Sequence, residues 1–498
     1  QKFDYFGDSQ TVINTLGYNN NWTDIYSGGN FLLNINPDSE AHIGNSYENA
    51  PESTWANALQ LVSFFGRLNY AFDDTYLLTF TLRDDGTSRF SKKNRWGLFP
   101  SVALAWKINN MPFMQNTADV LNDFKLRLGW GKTGQQEMDL YFPYIPIYTN
   151  SYQQGYQYLD PTGSGQWINP LYPQAYNPDL KWETTTTWNV GLDLGFLNNR
   201  ITIAADWYKR ITTDLLAFVP TGASNTANMM WRNIGSMDNM GVEVTIGAKP
   251  VVTDNFTWST SFNVAWNKNK ITELQGDGET SRTQAIGLPS GKGGAGLAWH
   301  IVGQPAYTFM VYEQVYAENG DPIEDQYVDQ NADGVINEDD LIMYHSRDPK
   351  VTMAWNNTFT WKNWDLGISL RANLGNYVYN QLKQDNTRVY YTTGAQYMLS
   401  NLMADTFLFY NLSSAERLPL SSYFVENASF LRCDNITLGY TIPDCHCGAD
   451  FGLRIFAAVQ NPFVITKFTG LDPEEFSGVQ GSPYPRPITT TLGIVLTF

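Results

Sequence analysis

Charge is scarce in this sequence. Asp, Glu, Lys and Arg make up 16% of its 498 residues, against about one quarter in an average soluble chain. Basic charge is scarcer still, with 32 Lys and Arg facing 49 Asp and Glu for a net charge of −17. Without a basic stripe, no counterions can be displaced from phosphates, which excludes nucleic acid as a partner. Cysteine is nearly missing: Cys433, Cys445 and Cys447 are too few for a disulfide framework, and Cys445-His446-Cys447 lacks the spacing of a zinc site. The four histidines, His42, His300, His345 and His446, have no neighbouring nucleophile motif, and the acidic pairs Asp84-Asp85 and Asp339-Asp340 fall in loops. No catalytic constellation stands out, so no enzymatic role and no catalytic cofactor are expected. Long apolar runs are also lacking. None reaches 18 residues, which rules out a helical membrane span and leaves a closed barrel as the only way through a bilayer.

What is present is aromatic residues, 15% of the chain, and alternation of period two. In the last stretch Ile488, Thr490, Leu492, Ile494, Leu496 and Phe498 share one face of an extended strand, with Thr489, Thr491, Gly493, Val495 and Thr497 on the other. Tyr76, Leu78, Phe80 and Leu82 likewise oppose Leu77, Thr79, Thr81 and Arg83. Phe124, Leu126, Leu128 and Trp130 alternate with Lys125, Arg127, Gly129 and Gly131. Lys and Arg on the hidden face require a wet interior, as in an outer-membrane barrel.

Thirteen crossings are predicted, at 61–72, 75–86, 96–106, 123–133, 184–196, 200–214, 239–250, 256–269, 351–360, 364–374, 429–441, 452–460 and 487–498. Short turns at Asp73-Asp74, 197–200, 251–255 and 361–363 alternate with long excursions at 134–183, 215–238, 272–350, 375–428 and 461–486. Short periplasmic turns and long extracellular loops are the layout of a transmembrane antiparallel β-barrel. The excursion 272–350 is expected to carry its own hairpin, and the longer turn 107–122 must lie on the periplasmic side. Residues 1–58 read as an extracellular loop region or the end of a preceding strand, and 59–498 as the barrel portion. Nine tryptophans (Trp96, Trp106, Trp130, Trp188, Trp207, Trp258, Trp266, Trp361 and Trp364) suit interfacial girdles. Gln1 follows no signal peptide although the pattern implies export, so the sequence reads as a mature or truncated piece.

Specific motifs sit on this frame. Phe65-Gly66-Arg67-Leu68-Asn69-Tyr70, Arg83-Asp84-Asp85-Gly86-Thr87-Ser88-Arg89-Phe90 and Asn94-Arg95-Trp96-Gly97-Leu98-Phe99-Pro100-Ser101 come first. Asn177-Pro178-Asp179-Leu180-Lys181-Trp182-Glu183-Thr184, Gly470-Leu471-Asp472-Pro473 and the end of the chain from Pro485-Arg486 follow in order. Together they resemble the SusC/RagA family of TonB-dependent outer-membrane transporters over roughly residues 60–498. The resemblance implies a barrel of about 22 strands around an N-terminal plug, a segment that contacts TonB, and a SusD-like lipoprotein lid. Plug and TonB-contacting segment are not found in this sequence, so it is expected to be the C-terminal portion of a longer transporter that imports oligosaccharides or oligopeptides. A secreted all-β glycan-binding protein or glycosidase is the alternative from another class, and a passive porin the alternative among membrane proteins.

Two kinds of site residue are candidates. Asp329, Asn331, Asp333, Asn337 and Asp340 stand at positions 1, 3, 5, 9 and 12 of a calcium loop, with Val335 offering its carbonyl and Gly334 the sharp turn. Asp replaces the usual Glu at the last position, and a structural calcium ion is expected; an Asp/Asn-rich turn without metal is the alternative. For substrate, the loop 134–183 holds Tyr141, Tyr144, Tyr148, Tyr152, Tyr156, Tyr158, Trp167, Tyr172, Tyr176 and Trp182, rings that suit sugars or peptide side chains or that fold the loop on itself. Of these Trp167, Tyr172 and Tyr176, with a second cluster of Asp385, Asn386, Arg388, Tyr390 and Tyr391, are the candidate binding residues.

Overall fold

The computed structural model describes residues 7–15, 30–32, 56–138, 140–145, 147–150, 158–159, 167–168, 171–173, 175–221, 229–274, 282–287, 296–387, 420–446, 450–481 and 484–497. Fourteen strands form one antiparallel sheet in chain order. They are β1 (Gly7–Thr15), β2 (Ala56–Phe72), β3 (Tyr76–Thr87), β4 (Trp96–Lys107), β5 (Leu121–Gln135), β6 (Glu183–Phe196) and β7 (Ile201–Thr213). β8 (Ser236–Val252), β9 (Phe256–Glu273), β10 (Val351–Trp361), β11 (Trp364–Leu374), β12 (Phe430–His446), β13 (Asp450–Thr466) and β14 (Thr489–Thr497) complete it. All thirteen predicted crossings are strands of this sheet. Ahead of them β1 is a nine-residue strand paired with β2 from Gly7 opposite Phe64 to Thr15 opposite Ala56, where the sequence offers little alternation. Its polar residues are held by ladder bonds that only the partner strand supplies.

Turn chemistry fixes the register. Asp73 and Asp74 take positive φ (50° and 51°), and the Thr75 N–H closes the turn on the Phe72 carbonyl at 3.0 Å, the primed geometry that matches strand twist. Leu197, Asn198 and Asn199 do the same for β6 and β7. Lys362 takes φ 50° between Trp361 and Trp364, which pair directly.

The two faces separate as the alternation requires. Leu98, Leu104, Leu128, Val190, Val242, Ile246, Leu438 and Ile455 are exposed on one side, together with Trp96, Trp188, Trp207, Trp266, Trp361 and Trp364. Such a face is stable only against lipid. The opposite face is polar and cross-linked. Arg127 on β5 donates to Asp193 on β6 (2.9 and 2.8 Å) and to Asp206 on β7 (2.9 Å to each oxygen), and Arg454 on β13 grips Asp365 on β11 at 2.6 and 3.2 Å. A Cβ at Gly191 would meet the Arg127 guanidinium at 2.6 Å, and one at Gly439 would meet the Asp365 carboxylate at 2.4 Å. Both glycines make room for an ion pair crossing a strand.

Candidate functional site

The loops at one end of the sheet fold into a second unit. Residues 282–346 form a four-stranded sheet (Arg282–Gly287, Gly296–Ile301, Thr308–Tyr312, Leu341–Ser346) and a hairpin of Gln314–Tyr316 with Pro322–Tyr327. A three-stranded sheet joins Tyr377–Asn380, Val425–Asn427 and Val479–Gln480, which come from two other excursions. Leu297, Phe309, Val311, Tyr379, Phe424 and Val425 pack in one core. Three stretches far apart in sequence therefore close into a single cap.

Polar side chains pin the cap internally. Gln314, buried, donates its amide to the carbonyls of Ile323 (2.7 Å) and Gln326 (3.2 Å) and accepts from Ser421 at 2.7 Å, while its own N–H donates to Ser422 Oγ at 3.1 Å. Gln480 accepts the Leu471 N–H at 2.7 Å and donates to the Asp472 carbonyl at 2.6 Å.

An arginine cluster ties the cap to the sheet. Arg432 on β12, 3% exposed, donates to Asp472 at 2.6 Å. Arg486 reaches Asp472 at 2.8 Å and Glu474 at 2.9 Å. Arg371 on β11 bridges Asp434 and Glu474. Three guanidinium groups face three carboxylates, and this pairing offsets the cost of burying Arg432, the one fully enclosed cation of the cluster. These residues were not among the sequence candidates. Their signals were the Gly470-Leu471-Asp472-Pro473 motif, whose Asp472 proves to be the anchor, and Pro485-Arg486, whose Arg486 pairs with it.

The calcium-loop residues are folded by hydrogen bonds of their own. Asp329 accepts the N–H groups of Ala332 (2.7 Å) and Gly334 (2.8 Å), and Asn331 accepts that of Asp333 at 3.0 Å. Asp333 accepts the Val335 N–H at 2.8 Å. Asp340, fully buried, accepts from Gln330 and Asn337, both at 2.8 Å. The Asn337 N–H, with smaller contributions from those of Gln330 and Asn331 and from the adjacent Asp329 carboxyl, holds Asp340 below the usual carboxylate range against the opposing effect of burial. The oxygens are the hard donors calcium takes. Among the described residues, however, no three His, Cys, Asp or Glu side chains converge closely enough to hold an ion. The loop is closed by N–H bonds to its carboxylates, so the ligand set that the spacing offers is only partly assembled.

The described substrate candidates fall in separate local elements. Trp167 lies in the short strand Trp167–Ile168 paired with Tyr158–Leu159, and Tyr172 in Leu171–Pro173 paired with Ile147–Asn150. Tyr176 is exposed. Trp182 is a packing residue: its ring meets Phe90 and Phe99 edge-on, and its indole donates to the Arg95 carbonyl at 3.1 Å. Asp385 and Asn386 close the helix Gln381–Asn386, where Asn386 donates to the Leu382 carbonyl at 2.7 Å and Asp385 accepts from Gln381 at 3.2 Å. Arg388, Tyr390 and Tyr391 lie outside the described residues.

A sheet with an apolar outer face and a charged inner face is the architecture of an outer-membrane barrel wall. The model for TonB-dependent receptor-like β-barrels matches residues 1–339. The chain belongs to that family. TonB-dependent receptors of this kind cross the outer membrane with strands, and no helix among the described residues is long and apolar enough to do so. The chain is 45% identical over 464 residues to the TonB-dependent receptor SusC of Bacteroides thetaiotaomicron, covering 90% of the chain and 44% of SusC. It is 31% identical to TonB-dependent receptor P26 of Formosa agariphila, covering 89% and 46%. Among solved structures, the RagAB peptide transporter superposes with a TM-score of 0.71 at 25% identity over 90% of this chain and 48% of that one. The RagAB peptide importer in its closed-closed state gives 0.73 at 24%. The chain spans less than half the length of each of these relatives.

Proposed function

We propose that this chain supplies wall and cap to a TonB-coupled importer that carries oligosaccharides across the outer membrane beneath a SusD-like lipoprotein lid. The single cap built from three excursions and tied to the wall through Arg371, Arg432 and Arg486 carries this reading. Such a unit leaves a surface at the mouth for a lid. The ion-paired inner wall presents a hydrated path to a polar substrate. Uptake requires no covalent step: substrate is captured under the lid and released inward when TonB pulls on the receptor. Oligopeptides are a second reading, favoured by the structural likeness to the RagAB peptide transporter. Uptake of fluorescent oligosaccharides and of fluorescent oligopeptides, in a strain whose own gene is deleted and replaced by the receptor containing this chain, tests both. TonB-dependent entry of the sugars alone is expected; entry of neither class overturns the proposal.

Calcium at Asp329, Asn331, Asp333, Val335, Asn337 and Asp340 is a separate part of the proposal, supported by oxygen donors at calcium-loop spacing in one ordered turn. The ion would brace the cap rather than act on substrate. Calorimetry with calcium should give binding heat that the double variant Asp329→Ala/Asp333→Ala loses. Identical traces remove the site.

A further inference from the structure

The lipid-facing wall is not uniformly smooth. Near the short-turn end, Leu78, Leu104 and Leu128 form one cross-strand row continued by Tyr70. The row below consists of Tyr76, Trp106 and Leu126, and the row above of Phe80, Val102 and Trp130. Tyr70, Leu78, Leu104 and Leu128, with Leu126 and the ring-bearing pair Tyr76 and Trp106, line a trough of about 270 Å³ that is almost wholly apolar. Tyr76 and Trp106 stack at 6.2 Å along its lower edge, and the Tyr76 hydroxyl donates to Met111 Sδ at 3.8 Å. Met111 opens the turn at 111–120, whose short 3-10 helix Pro112–Thr117 leaves Phe113 64% and nearby Val120 59% exposed. An exposed Phe beneath a belt of Tyr and Trp suits insertion at the membrane interface.

We infer that this trough is a binding groove for one acyl chain of a phospholipid in the periplasmic leaflet. It is continuous with the exposed apolar face of the sheet, so the surrounding medium is lipid. Its position beside the short turns places it in the leaflet that carries phospholipid. A linear hydrocarbon fills the leucine floor without needing a hydrogen-bond partner, lying across the strands along the Tyr76–Trp106 edge. The 111–120 turn, with Phe113 exposed, lies just beyond that edge.

The test uses the receptor containing this chain, in vesicles of phosphatidylethanolamine doped with phosphatidylethanolamine bearing a diazirine on one acyl chain, with cross-links mapped by mass spectrometry. Leu366 and Leu438, paired one row from the short turn at Trp364, are the reference positions. Labelling of Leu78, Leu104 and Leu128 should exceed theirs severalfold, because a chain seated in the trough gains packing contacts that a chain on the smooth wall lacks. Leu104→Trp, which fills the trough, should bring labelling at Leu78 and Leu128 down to the reference level, whereas Leu104→Ala should preserve it; heat-modifiable migration on gels establishes that each variant is folded. Equal labelling at all these leucines overturns the groove, and so does labelling unchanged in folded Leu104→Trp. Preferential labelling by a lipid A probe in place of the phospholipid overturns the assignment of the occupant.

Discussion

Wall and cap are built on opposite principles. In the wall, large apolar side chains point outward and stay exposed, as Leu98 (57%) and Trp361 (56%) do, while charges such as Arg127 turn inward. In the cap, Phe309, Tyr379 and Phe424 are wholly buried and polar groups lie around them, as in a water-soluble domain. The wall is held by backbone ladders between strands consecutive in chain order and by the bilayer. The cap is held by a buried core and by side-chain bonds among three excursions, such as Gln314 with Ser421. The same chain thus meets two solvents, and the arginine cluster stands where they join.

Substitution in the cap core should have the largest effect. Phe424→Ala removes a fully buried ring, a loss of about 3–5 kcal/mol. Proteolysis should then cut the cap at concentrations that spare the wild type, while heat-modifiable migration of the barrel persists. Loss of both together would show that cap and wall are one cooperative unit. Arg432→Ala comes next. It strands Asp472 and Glu474 without one of their cations, at about 3 kcal/mol, and should free the 467–486 loop in hydrogen exchange while leaving Gln314 and its partners protected.

On the wall the sign of the comparison reverses. Ile246→Arg places a charge on the lipid side and should cost about 2–4 kcal/mol in folding from urea into vesicles. Thr245→Arg, one residue away on the inner side, should change it by no more than about 0.5 kcal/mol. Equal costs would mean that the two faces are not lipid and water.

The difference between the regions also explains what could be read from sequence. Alternation in Tyr76 to Leu82 and the Asp73-Asp74 turn are local signals, and all thirteen predicted crossings they support are strands of the sheet. β1, offered only as a preceding strand somewhere in 1–58, could not be placed because a strand of polar residues takes its conformation from β2 rather than from its own pattern. Of the cap only a hairpin in 272–350 was legible, and for a stronger reason: nothing in Phe309, Tyr379 or Phe424 taken singly says that they meet. The Asp329–Asp340 spacing was legible as a loop, yet spacing reports which oxygens are available and not where they point. Trp182 shows the same limit, an aromatic in a ligand-like loop that is spent on Phe90 and Phe99.

The smallest expected effect separates cap from wall by pH. His300 is depressed below its ordinary value near 6.5, first by burial and then by the Arg347 charge, with Asp348 opposing. His345, stacked on Tyr377 at 3.7 Å, is depressed by burial and by Lys350. The folded cap therefore binds fewer protons than the unfolded one as pH falls past 6.5, so stability is full above that pH and declines below it. In His300 the neutral ring also accepts the Tyr307 N–H at 3.5 Å, a bond that protonation at Nδ1 ends. Asp340 adds a second loss at lower pH, since its depressed value supplies stability above the ordinary carboxylate range that vanishes as the group protonates. Protease protection of the cap should fall between pH 7 and pH 5 (a window set by the ordinary histidine value, about 6.5) while migration of the folded barrel stays constant. His300→Gln, neutral throughout, should flatten the upper part of that decline and leave the acid limb of Asp340 in place.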